Sequence, residues 1–207
     1  MTRIGIVVGS TRPRRRAELV ARWVHEVAVR HMADTSVAFE LIDLADFGLP
    51  LLDEPVPAAI GEYAHPHTQR WAAAIASCDG FVVVTPEYNH SAPAALKNAI
   101  DFLFAEWNDK AVGFVSYGLN GGTRAVEHLR LVMAEVKAAC VRTAVALSLF
   151  TDFQLTDMTE PGVFTPGEHQ EPLLCRLLDE VIAWAGALRP LRDPAGAGGA
   201  SRAAVQA

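Results

Sequence analysis

The sequence has few cysteines, and none of them stands at a spacing typical of a metal site or a redox motif. Cys78, Cys140 and Cys175 lie far apart in a chain of 207 residues, and isolated thiols of this kind are typical of a protein core. This pattern favours a reducing compartment, the cytoplasm. His65 and His67 flank a proline, but no third ligand follows at a recognisable spacing, so we predict a surface loop there and no metal site.

Long apolar runs and an excess of basic residues are also absent. No run reaches the ~20 residues that a membrane span needs, and the N-terminus has no signal-peptide pattern, so we expect neither a membrane partner nor export. The chain has 24 acidic and 18 basic residues, a formal net charge of -6 and a pI of about 5.6. Nucleic-acid binding needs a broad basic face, so this balance argues against it.

Two glycine-rich nucleotide fingerprints, GxxxxGK[ST] and GxGxxG, are missing as well. The first apolar run ends instead in "VVGSTRPRRRAEL" (7–19), with a glycine, two hydroxyls and four arginines in five positions. Where a strand leads into a helix, free N–H groups and the helix dipole attract anions, and guanidinium forks match phosphate oxygens. We therefore predict a site for a lone phosphomonoester. The alternative is a solvated arginine run whose charges oppose the helix dipole.

Short β-rich runs alternate with longer helical ones along the chain. Strands are predicted at 3–9, 36–44, 80–86, 110–118 and 141–149, and helices at 14–31, through 69–78, at 92–104, after residue 122 and at 171–188. Because these strands have no exposed polar face, we predict a parallel sheet covered on both sides, which is a three-layer, doubly wound α/β fold. We take residues 1–190 as a single domain and the Gly/Ala-rich residues 191–207 as a mobile tail.

Ligands of such sheets bind beyond the carboxyl ends of the strands, and two further loops stand out there. In "TPEYNHSAPAALKNAID" (85–101) two prolines stiffen the chain, Ser91 is a candidate N-cap, and Tyr88 is placed to lie against a flat heterocycle. An ordinary polar loop explains the composition equally well. In "SYGLNGG" (116–122) two adjacent glycines permit either close approach to a ligand or a glycine-dependent turn.

Together these motifs identify a family resemblance. "GSTRP" after the first strand, "PEYNHSAPAALKNAIDFL" after the third and "SYGLNGGTRAVEHLR" after the fourth resemble the NADPH-dependent FMN reductase family, and the resemblance spans roughly residues 3–145. It implies a flavodoxin-like fold with strand order 2-1-3-4-5, bound FMN, NADPH or NADH as co-substrate, and a homodimer or homotetramer.

The resemblance also implies which residues bind FMN. The phosphate is expected at Ser10, Arg12, Arg15 and the backbone of Arg16 and Ala17. The edge of the isoalloxazine ring is expected at the backbone of Pro86, Glu87, Tyr88 and Asn89. The other side of the ring is expected at Ser116, Tyr117, Gly118 and Gly122. Arg14 and Ala17 stand where family members often have glycine, so this phosphate loop is bulkier and more basic than usual.

The implied activity is an oxidoreductase that needs no catalytic side chain. A nicotinamide passes a hydride to the flavin, and a quinone, free flavin, azo compound or metal ion then takes the electrons in a ping-pong scheme. Two other functions remain open from the residues alone. One is an FMN-binding electron carrier without nicotinamide reductase activity, and the other is a flavin-free α/β protein that binds a different phosphometabolite.

Overall fold

Five parallel strands form the central sheet in the spatial order β2-β1-β3-β4-β5. They are β1 (Thr2–Val8), β2 (Val37–Asp43), β3 (Gly80–Pro86), β4 (Ala111–Gly118) and β5 (Ala139–Ser148). The predicted fold class and strand order are confirmed. The computed structural model of the chain describes residues 1–33 and 35–192, so the predicted mobile tail lies outside the described residues from position 193 onward.

Helices cover both faces of this sheet. On one face lie α1 (Ala17–His31) and α6 (Gln170–Arg192), and on the other lie α3 (Pro66–Ala76), α4 (Ala94–Asp101) and α5 (Thr123–Glu135). A four-residue helix, α2 (Leu44–Phe47), follows β2, and a 3₁₀ turn spans Ala58–Ile60. Within the described ranges, no helix has the length and apolar character that crossing a bilayer requires.

Alternate residues of the strands feed two separate cores. In β3, Val82 and Val84 belong to the core under α1 and α6, whereas Phe81 and Val83 belong to the core under α3, α4 and α5. Every residue of β3 and β4 is buried, as expected of central parallel strands without a solvated face. This burial on both faces is why the sequence shows these strands as continuous apolar runs.

The helix starts differ from the sequence-based expectations where the loops before them have tight backbone turns. Helix α1 begins at Ala17 rather than near residue 14, because Arg14 has a φ of +56°, in the left-handed region. The N-cap of α4 is Pro93, so the prediction of Ser91 as N-cap is wrong. Ser91 instead closes a tight turn with Tyr88, and its hydroxyl lies 2.9 Å from His128 Nδ1.

Besides α2 and the 3₁₀ turn, the segment after β5 has no counterpart in the sequence-based prediction. After β5 the chain forms a two-stranded antiparallel hairpin from β6 (Phe153–Gln154) and β7 (Val163–Phe164). Strands of two residues are too short to show an alternating pattern, which explains the omission. Residues 155–162, which connect these two strands, are called the arm below.

Candidate functional site

A cavity of about 250 Å³ opens at the carboxyl edge of the sheet, beside β1, β3 and β4. All three predicted loops contribute to it, and so do the end of β5 and the arm. Its lining residues are Arg12, Arg15, Arg16, Pro86, Glu87, Tyr88, Tyr117, Gly118, Leu119, Leu149 and Met158. Sheet register produces this convergence, since Val8 pairs with Val84 and Pro86 pairs with Tyr117.

The other predicted site residues shape the walls of this cavity without lining it. Ser10 is fully buried, and its hydroxyl lies 2.9 Å from the Tyr88 hydroxyl. Ala17 is buried at the start of α1, and Asn89 lies in the tight turn with a φ of +48°. The Ser116 hydroxyl donates to the carbonyl of Gly121 at 2.6 Å.

Gly122, the last predicted site residue, is the N-cap of α5 and has a φ of +71°. A Cβ at this position would lie 2.9 Å from the Ser116 Cβ and from backbone atoms of Tyr117. Contacts that short do not occur at ordinary side chains, so only glycine fits here. Its role in the described structure is to let the third loop fold tightly over β4.

Two of the four clustered arginines are neutralised by carboxylates. Arg14 pairs with Glu160 at 2.7 Å on the surface. The Arg15 Nη2 atom lies 2.5 Å from Asp43 at the end of β2 and 3.0 Å from Glu18 on α1. The fold therefore uses part of the predicted cationic loop for internal ion pairs.

Arg12 and Arg16 have no carboxylate partner within residues 1–33 and 35–192. The Arg12 side chain is exposed at the cavity and makes no side-chain hydrogen bond to any described residue. Arg16 is only 6% exposed, and its guanidinium donates to the carbonyls of Pro161 at 3.0 Å, Glu160 at 2.8 Å and Met158 at 3.4 Å. Two uncompensated cations beside the N-terminus of α1 make this cavity electropositive.

Arg15 also presents a buried donor without an acceptor. Its Nε atom is buried and has no hydrogen-bond partner among the described residues, although the rest of the guanidinium is engaged. A buried donor left unpaired costs roughly 1–3 kcal/mol. A phosphate monoester carries a charge of about −1.5 to −2 at neutral pH and strong acceptor oxygens. This donor and the two arginines without a carboxylate partner, Arg12 and Arg16, fit such a group.

Two tyrosines, Tyr88 and Tyr117, form another part of the cavity wall. Burial raises the pKa of Tyr117 above its usual range, and the neighbouring Tyr88 adds to the rise, while Arg12 and Arg16 act in the other direction. Tyr117 therefore stays protonated at neutral pH. Together with Leu119, Leu149 and Met158, these rings give the cavity flat, apolar surfaces that suit an aromatic heterocycle.

The Glu87 side chain serves the fold. Its carboxylate pairs with Arg124 and accepts the N–H of Arg124 at 3.2 Å, which satisfies the N-terminus of α5. Burial opposes ionisation of Glu87, but the hydrogen bonds and charge of Arg124, with the N–H of Ala125, hold its pKa below the usual range. The backbone N–H of Glu87 donates to Tyr117 O at 3.1 Å, and that of Tyr88 donates to Ser91 O at 2.9 Å.

A larger cavity, of about 360 Å³, lies at the outer edge of β5. Arg130, Arg142 and Arg176 line it, and Ser116 is the predicted site residue that reaches it. Because the smaller cavity is lined by eight of the predicted residues and the larger one by Ser116 alone, we place the candidate site at the smaller one.

Sequence reasoning missed Leu149 and Met158, which complete the cavity wall. Leu149 directly follows β5, at the same sheet edge as the three loops, so the position of strand ends was the signal that could have found it. Met158 belongs to the arm, where no periodicity marks any structure. Its position depends on a contact with Arg16, which lies 142 residues earlier in the sequence.

Comparisons with known proteins indicate the family to which the chain is similar. The sequence profile described as NADPH-dependent FMN reductase matches residues 2–152. The chain is similar to an NAD(P)H-dependent FMN reductase of Schizosaccharomyces pombe, with 39% identity over 163 residues that cover 78% of this chain and 80% of the relative. It is also similar to a quinone reductase of Pseudomonas putida, with 34% identity over 172 residues that cover 76% and 87%.

A solved structure shares the fold. The flavoenzyme NAD(P)H:(acceptor) oxidoreductase from Paracoccus denitrificans superposes with a TM-score of 0.66 at 21% identity, covering 90% of this chain and 98% of that chain. At this identity the likeness concerns the fold.

Proposed function

The chain belongs to the NADPH-dependent FMN reductase family, and we propose that the cavity beside β1, β3 and β4 is where it binds FMN. Membership of this family makes it an NAD(P)H-dependent flavin oxidoreductase with FMN as its cofactor. We propose below which residues hold the cofactor, in which order the reaction proceeds and which molecule accepts the electrons.

The FMN phosphate is proposed to bind Arg12 and the Nε of Arg15. The observation that carries this proposal is the charge balance of the first loop. Arg14 and Arg15 already have carboxylate partners, whereas Arg12 and the buried Arg16 have none among the described residues. The phosphate supplies the missing negative charge, and one of its oxygens supplies the acceptor that Arg15 Nε lacks.

The isoalloxazine ring is proposed to lie against Tyr88 and Tyr117. Since the N–H groups of Glu87 and Tyr88 already donate within the protein, contacts of the ring edge with a backbone N–H fall to Asn89. The positive φ of Asn89 belongs to the tight turn that Tyr88 and Ser91 close. This turn fixes the loop before any ligand arrives, so little conformational entropy is lost on binding.

The protein's part in the chemistry is positioning. Bound FMN supplies hydride acceptance from a nicotinamide and electron transfer to a second acceptor. Tyr117 remains protonated and Glu87 remains ion-paired, so neither side chain acts as a base at neutral pH. Leu119, Leu149 and Met158 form the apolar side of the cavity.

We further propose that nicotinamide and acceptor use the same open mouth in turn, which gives ping-pong kinetics. Quinones are the proposed acceptors, because relatives at 34% identity are named quinone reductases. The apolar surfaces of Leu119 and Met158 at the mouth suit a neutral aromatic acceptor of this kind.

The test is an anaerobic titration of the purified, FMN-loaded protein with NADPH and with NADH. We expect flavin absorbance near 450 nm to bleach rapidly and to return when a quinone is added. In steady-state assays, double-reciprocal plots at several quinone concentrations should be parallel. A flavin that stays yellow with both nicotinamides would make the protein an electron carrier, and intersecting lines would exclude the ping-pong order.

A reducing, cytoplasmic location and a homodimer or homotetramer are also proposals. Cys78, Cys140 and Cys175 are free thiols, and burial raises the pKa of each, to about 11 for Cys140. Such thiols suit a compartment without disulfide formation. Light scattering coupled to size exclusion would test the oligomer, with a monomer mass near 22.3 kDa as the contradicting result.

A further inference from the structure

The arm, residues 155–162, connects the hairpin to the cofactor cavity. Its base is anchored in the core, because Phe153 packs on Phe164 with ring centroids 5.0 Å apart and Phe164 packs on Trp23 at 5.4 Å. Its tip brings Met158 into the wall of the cavity, beside the arginines of the first loop. The tip lies on the surface, and Met158 is 61% exposed, so hydrophobic burial alone does not hold it there.

One buried side chain tethers this tip. The Arg16 guanidinium donates to three carbonyls of the arm, those of Met158, Glu160 and Pro161, although they lie 142 to 145 residues further along the chain. The neighbouring Arg14–Glu160 ion pair is more than half exposed on both sides and adds little, as surface ion pairs do. The position of the tip therefore depends on Arg16.

The arm also needs a glycine to return to β7. Gly162 has a φ of +74°, and a Cβ there would lie 2.4 Å from Leu155 Cδ2 and 2.7 Å from the carbonyl oxygen of Gln154. Any other residue at this position must displace the arm. Gly162 thus offers a way to move the arm without touching the first loop.

We propose that Arg16 is a positioning residue that holds the arm over the cavity, and that the arm sets the rate at which flavin leaves. This inference rests on the proposed function, since it takes the cavity as the flavin site. The physical link is steric, because Met158 at the tip of the arm forms part of the cavity wall. An arm that Arg16 holds in place obstructs the exit of any flavin, with or without a phosphate, and an arm that Arg16 does not hold lets either flavin leave faster.

The same inference accounts for the bulky, basic first loop. Arg12 and Arg15 line the cavity and have donor groups without an acceptor among the described residues, whereas Arg16 lines the cavity and also holds the arm. An acidic protein concentrates arginine here because one short loop serves two purposes, binding an anion and fixing a distant segment beside it.

The test compares how fast two flavins leave three variants. Arg16→Lys keeps the positive charge but loses the planar fork that bonds three carbonyls at once. We expect the dissociation rates of FMN and of riboflavin to rise at least tenfold in this variant. The two factors should agree within about threefold. The return of flavin fluorescence on release measures both rates. Gly162→Ala, which leaves Arg16 intact, should accelerate both flavins in the same way. Arg12→Ala is the matched control and should accelerate FMN alone.

The outcomes separate the inference from the proposed function. Faster release of FMN alone from Arg16→Lys would make Arg16 a phosphate ligand and overturn the inference. Unchanged release from Gly162→Ala would also overturn it, and this variant decides the matter if Arg16→Lys does not fold. Wild-type protein that binds neither flavin would instead refute the proposed function.

A second measurement uses flavin-free protein and no activity. Hydrogen–deuterium exchange should be faster in peptides covering 155–162 of Arg16→Lys than in wild type, with peptides of α4 unchanged. Equal exchange of the arm in both proteins would show that Arg16 does not hold it.

Discussion

Individual residues of the first loop show how the fold assigns different tasks to identical side chains. Arg12, Arg14, Arg15 and Arg16 are equivalent in the sequence, yet only Arg12 lacks any side-chain partner among the described residues. The partners of the others are Glu160, Asp43 with Glu18, and carbonyls of the arm. Arg12 is therefore the arginine whose removal should weaken ligand binding with the least effect on the fold.

Arg12→Ala should weaken the binding of FMN far more than that of riboflavin. A charge-assisted contact is worth roughly 1.5–3 kcal/mol, so we expect the Kd of FMN to rise by about 10- to 150-fold and that of riboflavin by less than about threefold. Fluorescence quenching titrations of both flavins measure this. Arg22→Ala, an exposed arginine of α1, is the control and should leave both constants unchanged, while equal losses for the two flavins would contradict the phosphate contact.

Arg14 has a left-handed backbone that β-branched residues avoid. Arg14→Gly relieves strain of about 1–2 kcal/mol. It also adds chain entropy to the unfolded state and loses the exposed ion pair with Glu160. The free energy of unfolding of this variant should therefore stay within about 1 kcal/mol of that of wild type. Arg14→Val loses the same pair and keeps the strain. Urea unfolding of flavin-free protein should therefore show Arg14→Val to be at least about 1 kcal/mol less stable than Arg14→Gly. Equal stabilities would mean that this φ imposes no cost.

At the scale of elements, the loop after β3 connects two parts of the fold. Its backbone closes the Tyr88–Ser91 turn beside the cavity, while the Glu87 side chain satisfies the N-terminus of α5. The carboxylate is 7% exposed and paired with Arg124. The third loop lies between β4 and α5, so Glu87 also fixes the position of that loop relative to the second one.

Glu87→Gln should lower the free energy of unfolding by about 1 kcal/mol at pH 7, because a charge at a helix N-terminus and an ion pair are lost. The pKa of Glu87 lies below 4.5 in the folded protein, so the unfolded state binds its proton first as the pH falls. The difference in the free energy of unfolding between wild type and Glu87→Gln is therefore largest above pH ~4.5 and becomes smaller below it.

Urea unfolding between pH 3 and 7, at a fixed FMN concentration, measures this dependence. Glu127→Gln, which removes an exposed carboxylate of the same helix, is the control and should change stability little at any pH. If the stability difference between wild type and Glu87→Gln stays constant from pH 7 to pH 3, the charge of the Glu87 carboxylate contributes nothing to stability.

At the scale of the whole molecule, the sequence predicts features that depend on local pattern and misses those that depend on distant contacts. Continuous apolar runs predict β3 and β4 because both faces of these strands are buried. The three loops meet because parallel strands end at one edge of the sheet. The partners of Arg16 could not be predicted, since they lie more than 140 residues away along the chain in an element with two-residue strands.

The distribution of charge is also a property of the whole molecule. A net charge of -6 repels anionic ligands at a distance, so the attraction for a phosphate must be local. Arg12, Arg16 and the N-terminus of α1 supply it at one edge of the sheet. The prediction of an anion site in an acidic protein depends on positive charge that is concentrated at one place while the net charge is negative. It stays a prediction.

The central claim is that this cavity binds the phosphate of FMN through the donors that the fold leaves unpaired. A crystal structure of the FMN complex tests it most directly. The account predicts phosphate oxygens within hydrogen-bond distance of the Arg15 Nε and of the Arg12 guanidinium, with the arm closed beside them. A phosphate bound elsewhere, with Arg15 Nε still lacking an acceptor, would contradict the account.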